Sequence, residues 1–315
     1  MKIVILDRAA IGYDTPLCAL EKFGEVVCYD SSDPTEAKER SSDAEIIILN
    51  KVKITRDILE NSPALKLVCI FATGYDNIDL AAARELGIAV CNVPGYSTDS
   101  VALFTLSTVL ALTSHLFEYN NFVKSGEYTA SGAPNRLVPV YHELRGKTWG
   151  IIGYGNIGRA VARVAEAFGA RVIVNKRTPC EDAVCVDIDR LCRESDIITI
   201  HCPLNDQTRS LINERRIAMM KPEVIIVNEA RGAVVDEEAL AEAVEGEKIG
   251  GIGVDVYSKE PFDGDHPFNK IKHLPNVLLT PHMAWGGYET RTRLLSEIKE
   301  NIIAFYNGKN RCRVD

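Results

Sequence analysis

Three side chains of complementary chemistry each follow an apolar run of strand length. Arg231 comes after EVIIV (223–227), within Asn228-Glu229-Ala230-Arg231-Gly232. Glu260 comes after GIGVDV (251–256), within Tyr257-Ser258-Lys259-Glu260-Pro261. His282 comes after NVLLT (276–280), next to Pro281. An arginine can hold a carboxylate and polarise a carbonyl, and a histidine can protonate the alkoxide that develops when that carbonyl is reduced. A glutamate beside the histidine would stabilise its protonated ring. Together the three suit hydride transfer to a 2-oxo acid. Each alone has an ordinary alternative: a surface arginine, a surface glutamate, a capping histidine. Their coincidence at three strand ends is what argues for chemistry. A hydrolase is the weaker reading, because no GxSxG nucleophile elbow occurs. No paired carboxylates stand at a metal-binding spacing, so no metal is expected.

Hydride chemistry needs a carrier, and the stretch GIIGYGNIGRAVARVAEAFGARVIVNKRT (150–178) offers a place for one. Gly153, Gly155 and Gly158 form GxGxxG between a strand and a helix, with Tyr154, Asn156 and Ile157 between them. The first glycine permits a tight turn, the second a close approach to a pyrophosphate, and the third close helix packing. The amides of residues 156–158 would face the phosphates at a positive helix end. That helix is expected to bury Val161, Val164, Ala165 and Phe168 and to end at Gly169. An acidic residue usually stands about 20 positions on and grips the adenosine ribose. Here Lys176 and Arg177 follow the strand instead. A solvated pair of bases is the bland reading; a clamp for a 2′-phosphate is the functional one. The expected cofactor is NAD(P)(H), with NADP(H) favoured.

The elements that must carry these groups read as alternating strands and helices. One series is KIVIL (2–6), EVVCY (25–29), EIIIL (45–49), KLVCI (66–70) and IAVCNV (88–93). A second is TWGII (148–152), ARVIV (170–174), DIITI (196–200), EVIIV, GIGVDV and NVLLT. Short β-rich runs separated by helix-length segments imply parallel α/β sheets. The glycine fingerprint follows the first strand of the second series, so the nucleotide domain is internal. Helices within 100–112 and 286–308 would join the two domains, the latter with Leu294, Leu295, Ile298, Ile302 and Phe305 on one apolar face and Gly308 as its stop. The expected boundaries are 1–98 with 287–315 for one domain and 99–286 for the other.

Composition sets outer limits. The chain has 315 residues, 46% hydrophobic and 25% charged, which is globular, with a net charge of −8 that argues against nucleic acid. MKIVILD opens directly as a strand with no leader pattern, and no apolar run approaches a membrane span. Nine cysteines, with Cys180, Cys185 and Cys192 lacking CxxC spacing, read as reduced thiols in a cytoplasm.

The motifs GYGNIG, HCPLNDQTRSLI, NEARGAVVDEEAL, DVYSKEP and PHMAW occur in this order, and with them the whole chain resembles the D-2-hydroxyacid dehydrogenase family. LNKVKIT (49–55), residues 71–102 and the tryptophan of PHMAW resemble its glycerate dehydrogenase, or hydroxypyruvate reductase, branch. The resemblance implies two doubly wound parallel-sheet α/β domains: a flavodoxin-like split substrate domain and an inserted Rossmann domain, in a homodimer. It implies that Arg231 binds substrate, Glu260 tunes the histidine and His282 is the acid/base. It places Ala72, Thr73, Gly74 and Trp285 at the substrate. It places His201, Cys202, Pro203, Glu229, Ala230, Arg231, Asp255 and His282 at the cofactor, with Asp255 against the nicotinamide amide. Leu103, Phe104, Glu229 and Lys176 depart from the family pattern. The implied substrate is hydroxypyruvate or glyoxylate. D-lactate or another D-2-hydroxyacid is the alternative, and a nucleotide-sensing corepressor the reading from another class. A sensor needs no acid/base group, so the trio favours an enzyme.

Overall fold

The computed structural model describes residues 1–178 and 180–315. The chain forms two compact units, Met1–Ser97 with Gly286–Asp315, and Thr98–Trp285.

The first unit holds β1 (Lys2–Ile5), β2 (Glu25–Cys28), β3 (Ile46–Leu49), β4 (Leu67–Ile70) and β5 (Ala89–Cys91). They form one parallel sheet in the order β2-β1-β3-β4-β5, the flavodoxin-like order. Every residue of β3 and β4 is buried, as central strands covered on both faces require. Asp7, just past β1, is buried and accepts backbone N–H bonds from Asn50, Lys51 and Val52. Burial raises its pKa while those three donors oppose the rise. The carboxyl thereby ties the end of β1 to the turn after β3. The helix Tyr288–Tyr306 packs against β4 and buries Leu294, Leu295, Ile298 and Ile302. It stops before Gly308, which takes φ of 67°.

The second unit holds β6 (Thr148–Ile152), β7 (Arg171–Asn175), β8 (Ile197–Ile200), β9 (Ile225–Asn228), β10 (Gly251–Val254) and β11 (Val277–Leu279). All pair in parallel, in the order β11-β10-β9-β8-β6-β7. The third strand of the series thus lies against the first. The outer place beside β7 goes to residues 184–186: the Val174 N–H donates to the Val184 carbonyl and the Val186 N–H to the Val174 carbonyl, both at 2.9 Å. A single bridge at Cys185 is too short to read as a strand. The helix Asn156–Ala167 buries Val161 and Ala165 as expected, but Phe168 is 47% exposed. The reason is its place: Phe168 caps the helix, and Gly169 at φ 82° turns the chain before another helical turn can aim it inward. The helix Thr98–Thr113 crosses the sheet over β9 and β10. Among the described residues, no single helix is long and apolar enough to cross a membrane.

Trp149 lies at the centre of this core, fully buried, with its indole N–H donating to Thr199 Oγ1 at 3.1 Å. Trp149→Phe removes ring volume and leaves the hydroxyl without its donor. It is expected to destabilise the unit by about 2–4 kcal/mol, seen as a lower urea midpoint. A change within experimental error would show that the core repacks around the smaller ring.

Candidate active site

At one end of the second sheet, β6 runs into the glycine loop between the ends of β7 and β8. The Gly153 N–H donates to the Asn175 carbonyl, and the His201 N–H to the Ile152 carbonyl. Gly153 takes φ of 91°, and a Cβ there would fall 2.5 Å from the Cys202 nitrogen. A Cβ on Gly158 would fall 2.2 Å from the Gly153 carbonyl oxygen, whereas one on Gly155 would meet nothing within 4 Å. Gly153 and Gly158 are therefore required by the fold, and Gly155 leaves open space in front of the helix. The first-turn amides of Asn156, Ile157 and Gly158 have no earlier helical carbonyl to bind and suit an anion. Tyr154 is nearly buried under the Arg159 guanidinium, 4.5 Å from its ring centre.

Lys176 and Arg177 follow β7 directly, the lysine half-buried and the arginine exposed. His201, Cys202 and Pro203 follow β8. Both ring nitrogens of His201 are buried without a hydrogen-bond partner among the described residues, and burial pushes its pKa down to about 3. A neutral imidazole with two orphaned nitrogens beside an open glycine cradle fits an elongated polar ligand carrying phosphates. A dinucleotide has that form.

On the same carboxyl edge, toward the other side of the sheet, β9, β10 and β11 finish side by side. Asn228 braces the turn after β9: its side chain donates to the Arg231 carbonyl at 3.0 Å and accepts from the Ala230 N–H at 3.1 Å. Arg231 is extended, with Nη1 donating to the Ala230 carbonyl. Gly232 then presses on the neighbouring turn, where a Cβ would fall 2.0 Å from the Tyr257 carbonyl carbon. Only glycine allows the Arg231 turn to lie this close to the Glu260 turn. Glu260 accepts from the Tyr257 N–H through Oε1 and meets His282 Nδ1 through Oε2 at 2.6 Å.

His282 has φ of 52°, a region unfavourable for a side chain with a Cβ. The residues around it fix that conformation. Asp255 Oδ1 accepts from Thr280 Oγ1 at 2.6 Å and the Met283 N–H at 2.8 Å, while Oδ2 accepts from the Ala284 N–H at 2.8 Å. The Tyr257 hydroxyl donates to the Thr280 carbonyl, and the Trp285 indole donates to the His282 carbonyl. Both Asp255 oxygens are thus engaged with the loop that carries His282. In the first unit, Ala72, Thr73 and Gly74 form the turn after β4. The Thr73 hydroxyl donates to the Val93 carbonyl and the Asn92 side chain to the Thr73 carbonyl.

Sequence reasoning gave Glu229 a place but missed its environment. Its side chain turns into the helix Thr98–Thr113, where it accepts from the Thr105 hydroxyl in a short bond and from Thr108 at 3.3 Å. With Asp255, Phe104, Phe117, Thr108 and Thr280 it lines a cavity of about 260 Å³. Glu229 is only 9% exposed, and burial pushes its pKa up to about 8, with the Asp255 charge adding to the rise. The signal available in sequence was Thr105 and Thr108, which stand one turn apart on the expected helix. Leu103, by contrast, is 67% exposed.

The family model for the D-isomer specific 2-hydroxyacid dehydrogenase NAD-binding domain matches residues 106–284. The chain is 37% identical to a hydroxypyruvate reductase of Blautia hydrogenotrophica, over 98% of each chain. It is 37% identical to a glyoxylate reductase of Thermococcus litoralis, over 92% of this chain and 90% of that one. Among solved structures it matches a D-lactate dehydrogenase of Aquifex aeolicus complexed with NAD and lactic acid. The TM-score is 0.85 and the identity 31%, covering 98% of this chain and 96% of that one. It also matches an acyclic imino acid reductase in complex with NADPH and D-arginine. There the TM-score is 0.88 and the identity 31%, covering 100% of both.

The raised pKa of Glu229 has a consequence for stability. From the ordinary value of 4.5 up to about 8, the folded chain keeps a proton that the unfolded chain has released. Stability therefore falls as pH rises through that window, by on the order of a few kcal/mol. Glu229→Gln keeps the shape and an acceptor for Thr105 but cannot ionise. Urea midpoints measured from about pH 5 to about pH 9 should decline more steeply in the wild type than in the variant. Parallel curves would place the ionisation of Glu229 outside this window.

Proposed function

The chain belongs to the D-isomer specific 2-hydroxyacid dehydrogenase family, and from that premise we propose that it reduces hydroxypyruvate to D-glycerate, or glyoxylate to glycolate, with NADPH. The observation that carries this reading is the 2.6 Å contact between His282 Nδ1 and Glu260 at the strand ends beside Arg231. With Nδ1 engaged by the carboxylate, the proton that passes to the substrate is assigned to Nε2. Arg231 holds the substrate carboxylate and leans on its ketone oxygen, using the planar fork of its guanidinium. His282 delivers its Nε2 proton to that oxygen as negative charge develops. Glu260 keeps the ring oriented for the transfer. A nicotinamide, when bound, supplies the hydride to the carbonyl carbon. The backbone amides of Ala72, Thr73 and Gly74 are assigned to the substrate carboxylate, and Trp285 to substrate binding.

Gly153–Gly158 and His201–Pro203 are assigned to the cofactor diphosphate and adenosine. Lys176 and Arg177, with no acid to repel a 2′-phosphate, favour the phosphorylated cofactor. A second copy of the chain is assigned to the segment 114–143. There Leu116, Phe117, Val123, Leu137, Val138 and Val140 are all exposed, and apolar side chains gathered in one exposed segment are what a second copy would cover. Nine free thiols fit a reducing compartment, and we assign the chain to the cytoplasm.

His282→Asn is expected to lower kcat for hydroxypyruvate or glyoxylate by roughly 10²–10⁴-fold, with cofactor binding kept. The measurement is nicotinamide absorbance against a panel of small 2-oxo acids that includes pyruvate. A variant within a few-fold of wild type would remove His282 from the chemistry. No turnover of any panel member by the wild type would favour a nucleotide sensor.

Lys176→Asp is expected to shift preference from NADPH toward NADH by on the order of ten- to a hundredfold in kcat/KM. Aspartate repels the 2′-phosphate and offers two acceptors to the ribose hydroxyls. A wild type that already prefers NADH by more than about tenfold would make the bases after β7 a solvated strand end.

A further inference from the structure

The sulfurs of Cys180 and Cys185 lie 3.4 Å apart at the outer edge of the second sheet. The Cys180 N–H also points at the Cys185 sulfur, at 3.4 Å, and the Cys185 thiol points at the Cys180 carbonyl, at 3.7 Å. Cys185 is held in place by the bridge to Val174, flanked by the two backbone bonds of residues 184 and 186. Cys180 comes back onto it from the exposed turn Glu181-Asp182, whose Asp182 is ion-paired with Arg159 of the helix Asn156–Ala167. Both thiols are half-buried, so a small reagent can reach them. A disulfide bond is about 2.05 Å long, so the sulfurs need approach by only about 1.4 Å. The ring closed between them spans few residues, which keeps the entropic cost of pairing low.

We propose that Cys180 and Cys185 are a modification site, a dithiol that forms a reversible internal disulfide by exchange with a small-molecule disulfide such as oxidised glutathione. The thiolate of one cysteine attacks a sulfur of the reagent and expels one glutathione thiolate, leaving a mixed disulfide. The second cysteine, as its thiolate, attacks the protein sulfur of that mixed disulfide and expels the second glutathione. Two protein thiols are oxidised, one glutathione disulfide is reduced to two thiols, and the protons pass to those products. The second step is fast because the resolving sulfur is already in contact. Partial burial and the shared contact with Cys185 raise the Cys180 pKa, against the nearby Lys176 and Arg159 charges, so exchange quickens as pH rises. Cytoplasmic disulfides of this kind are transient and respond to the thiol pool.

The test is exposure of the folded protein to oxidised glutathione, alkylation of the remaining thiols, and mass analysis of the tryptic fragment 178–190, which holds both cysteines. That fragment should lose two hydrogens and carry no glutathione. Cleavage after Glu181 should leave its halves joined, and dithiothreitol should restore both thiols. Cys180→Ser and Cys185→Ser, each at a half-buried edge position, should instead trap a glutathione adduct on the remaining cysteine. A stable adduct on either cysteine of the wild type would overturn the proposal. So would two unreacted thiols in the fragment while exposed Cys18 and Cys28 are modified.

Discussion

The geometry of the rim that carries Arg231, Glu260 and His282 depends on one carboxylate that is held inside the fold. Asp255 is 1% exposed and stands at the end of β10, one residue beyond the last strand pair, Val254 with Leu279. Its three accepted bonds reach across to Thr280, Met283 and Ala284 and enclose His282 between them. A left-handed backbone at a histidine is costly by itself and persists only where its surroundings over-determine it. Here two backbone N–H groups and a hydroxyl converge on one side chain and the Tyr257 hydroxyl holds the Thr280 carbonyl, so the loop has few alternatives. The histidine ring then meets Glu260, which the Tyr257 N–H holds by its other oxygen. Tyr257 thus braces both partners, one through its backbone and one through its ring.

That rim was legible in the sequence because chemistry at strand ends follows from topology. Once EVIIV, GIGVDV and NVLLT are read as adjacent parallel strands, the residues just past them must share an edge. The strands themselves were readable because buried parallel strands are continuous apolar runs, and β3, β4, β6, β8 and β10 are buried throughout. Pairing through a single residue leaves no such run, which is why Cys185 beside β7 passed unread. Phe168 was misread for a related reason. Helical spacing assigned it to the apolar face, but a residue at the cap is no longer bound by that spacing. The meeting of Cys180 with Cys185 was also invisible, because their separation matches no CxxC pattern and the contact arises from a turn.

Glu229 shows a different limit. A glutamate beside the Ala-Arg-Gly turn reads as a polar residue in a polar site, and nothing in its type says that it is buried. Its environment is set by Thr105 and Thr108 on a distant helix and by the nearby Asp255. Two carboxyl groups in one poorly solvated region cannot both carry charge cheaply. The group with more hydrogen-bond donors is favoured as the anion. Burial is the main cause of the raised pKa at Glu229, and its two hydroxyl donors oppose that rise only in part, so the proton is kept there. The Asp255 charge adds to that rise, and the donors that engage Asp255 are also those that hold the histidine loop.

In the proposed reading, the sheet order also separates cofactor selection from chemistry. Between β7, which carries Lys176 and Arg177, and β10, which carries Asp255, lie β6, β8 and β9. Neighbouring strands are about 4.8 Å apart, so the two ends stand on the order of 19 Å from each other. Exposed charges are screened over roughly 8 Å at physiological ionic strength. The bases after β7 therefore act on what binds beside them and contribute little to the field at His282. A long ligand can span the distance, because a dinucleotide carries its phosphate-bearing ribose and its reactive ring at opposite ends. In the proposed reading, cofactor choice can then change at one edge of the sheet without disturbing the pair of His282 and Glu260 near the other. The Asp255 bracing permits no such freedom, since the loop it braces is the one that carries the histidine.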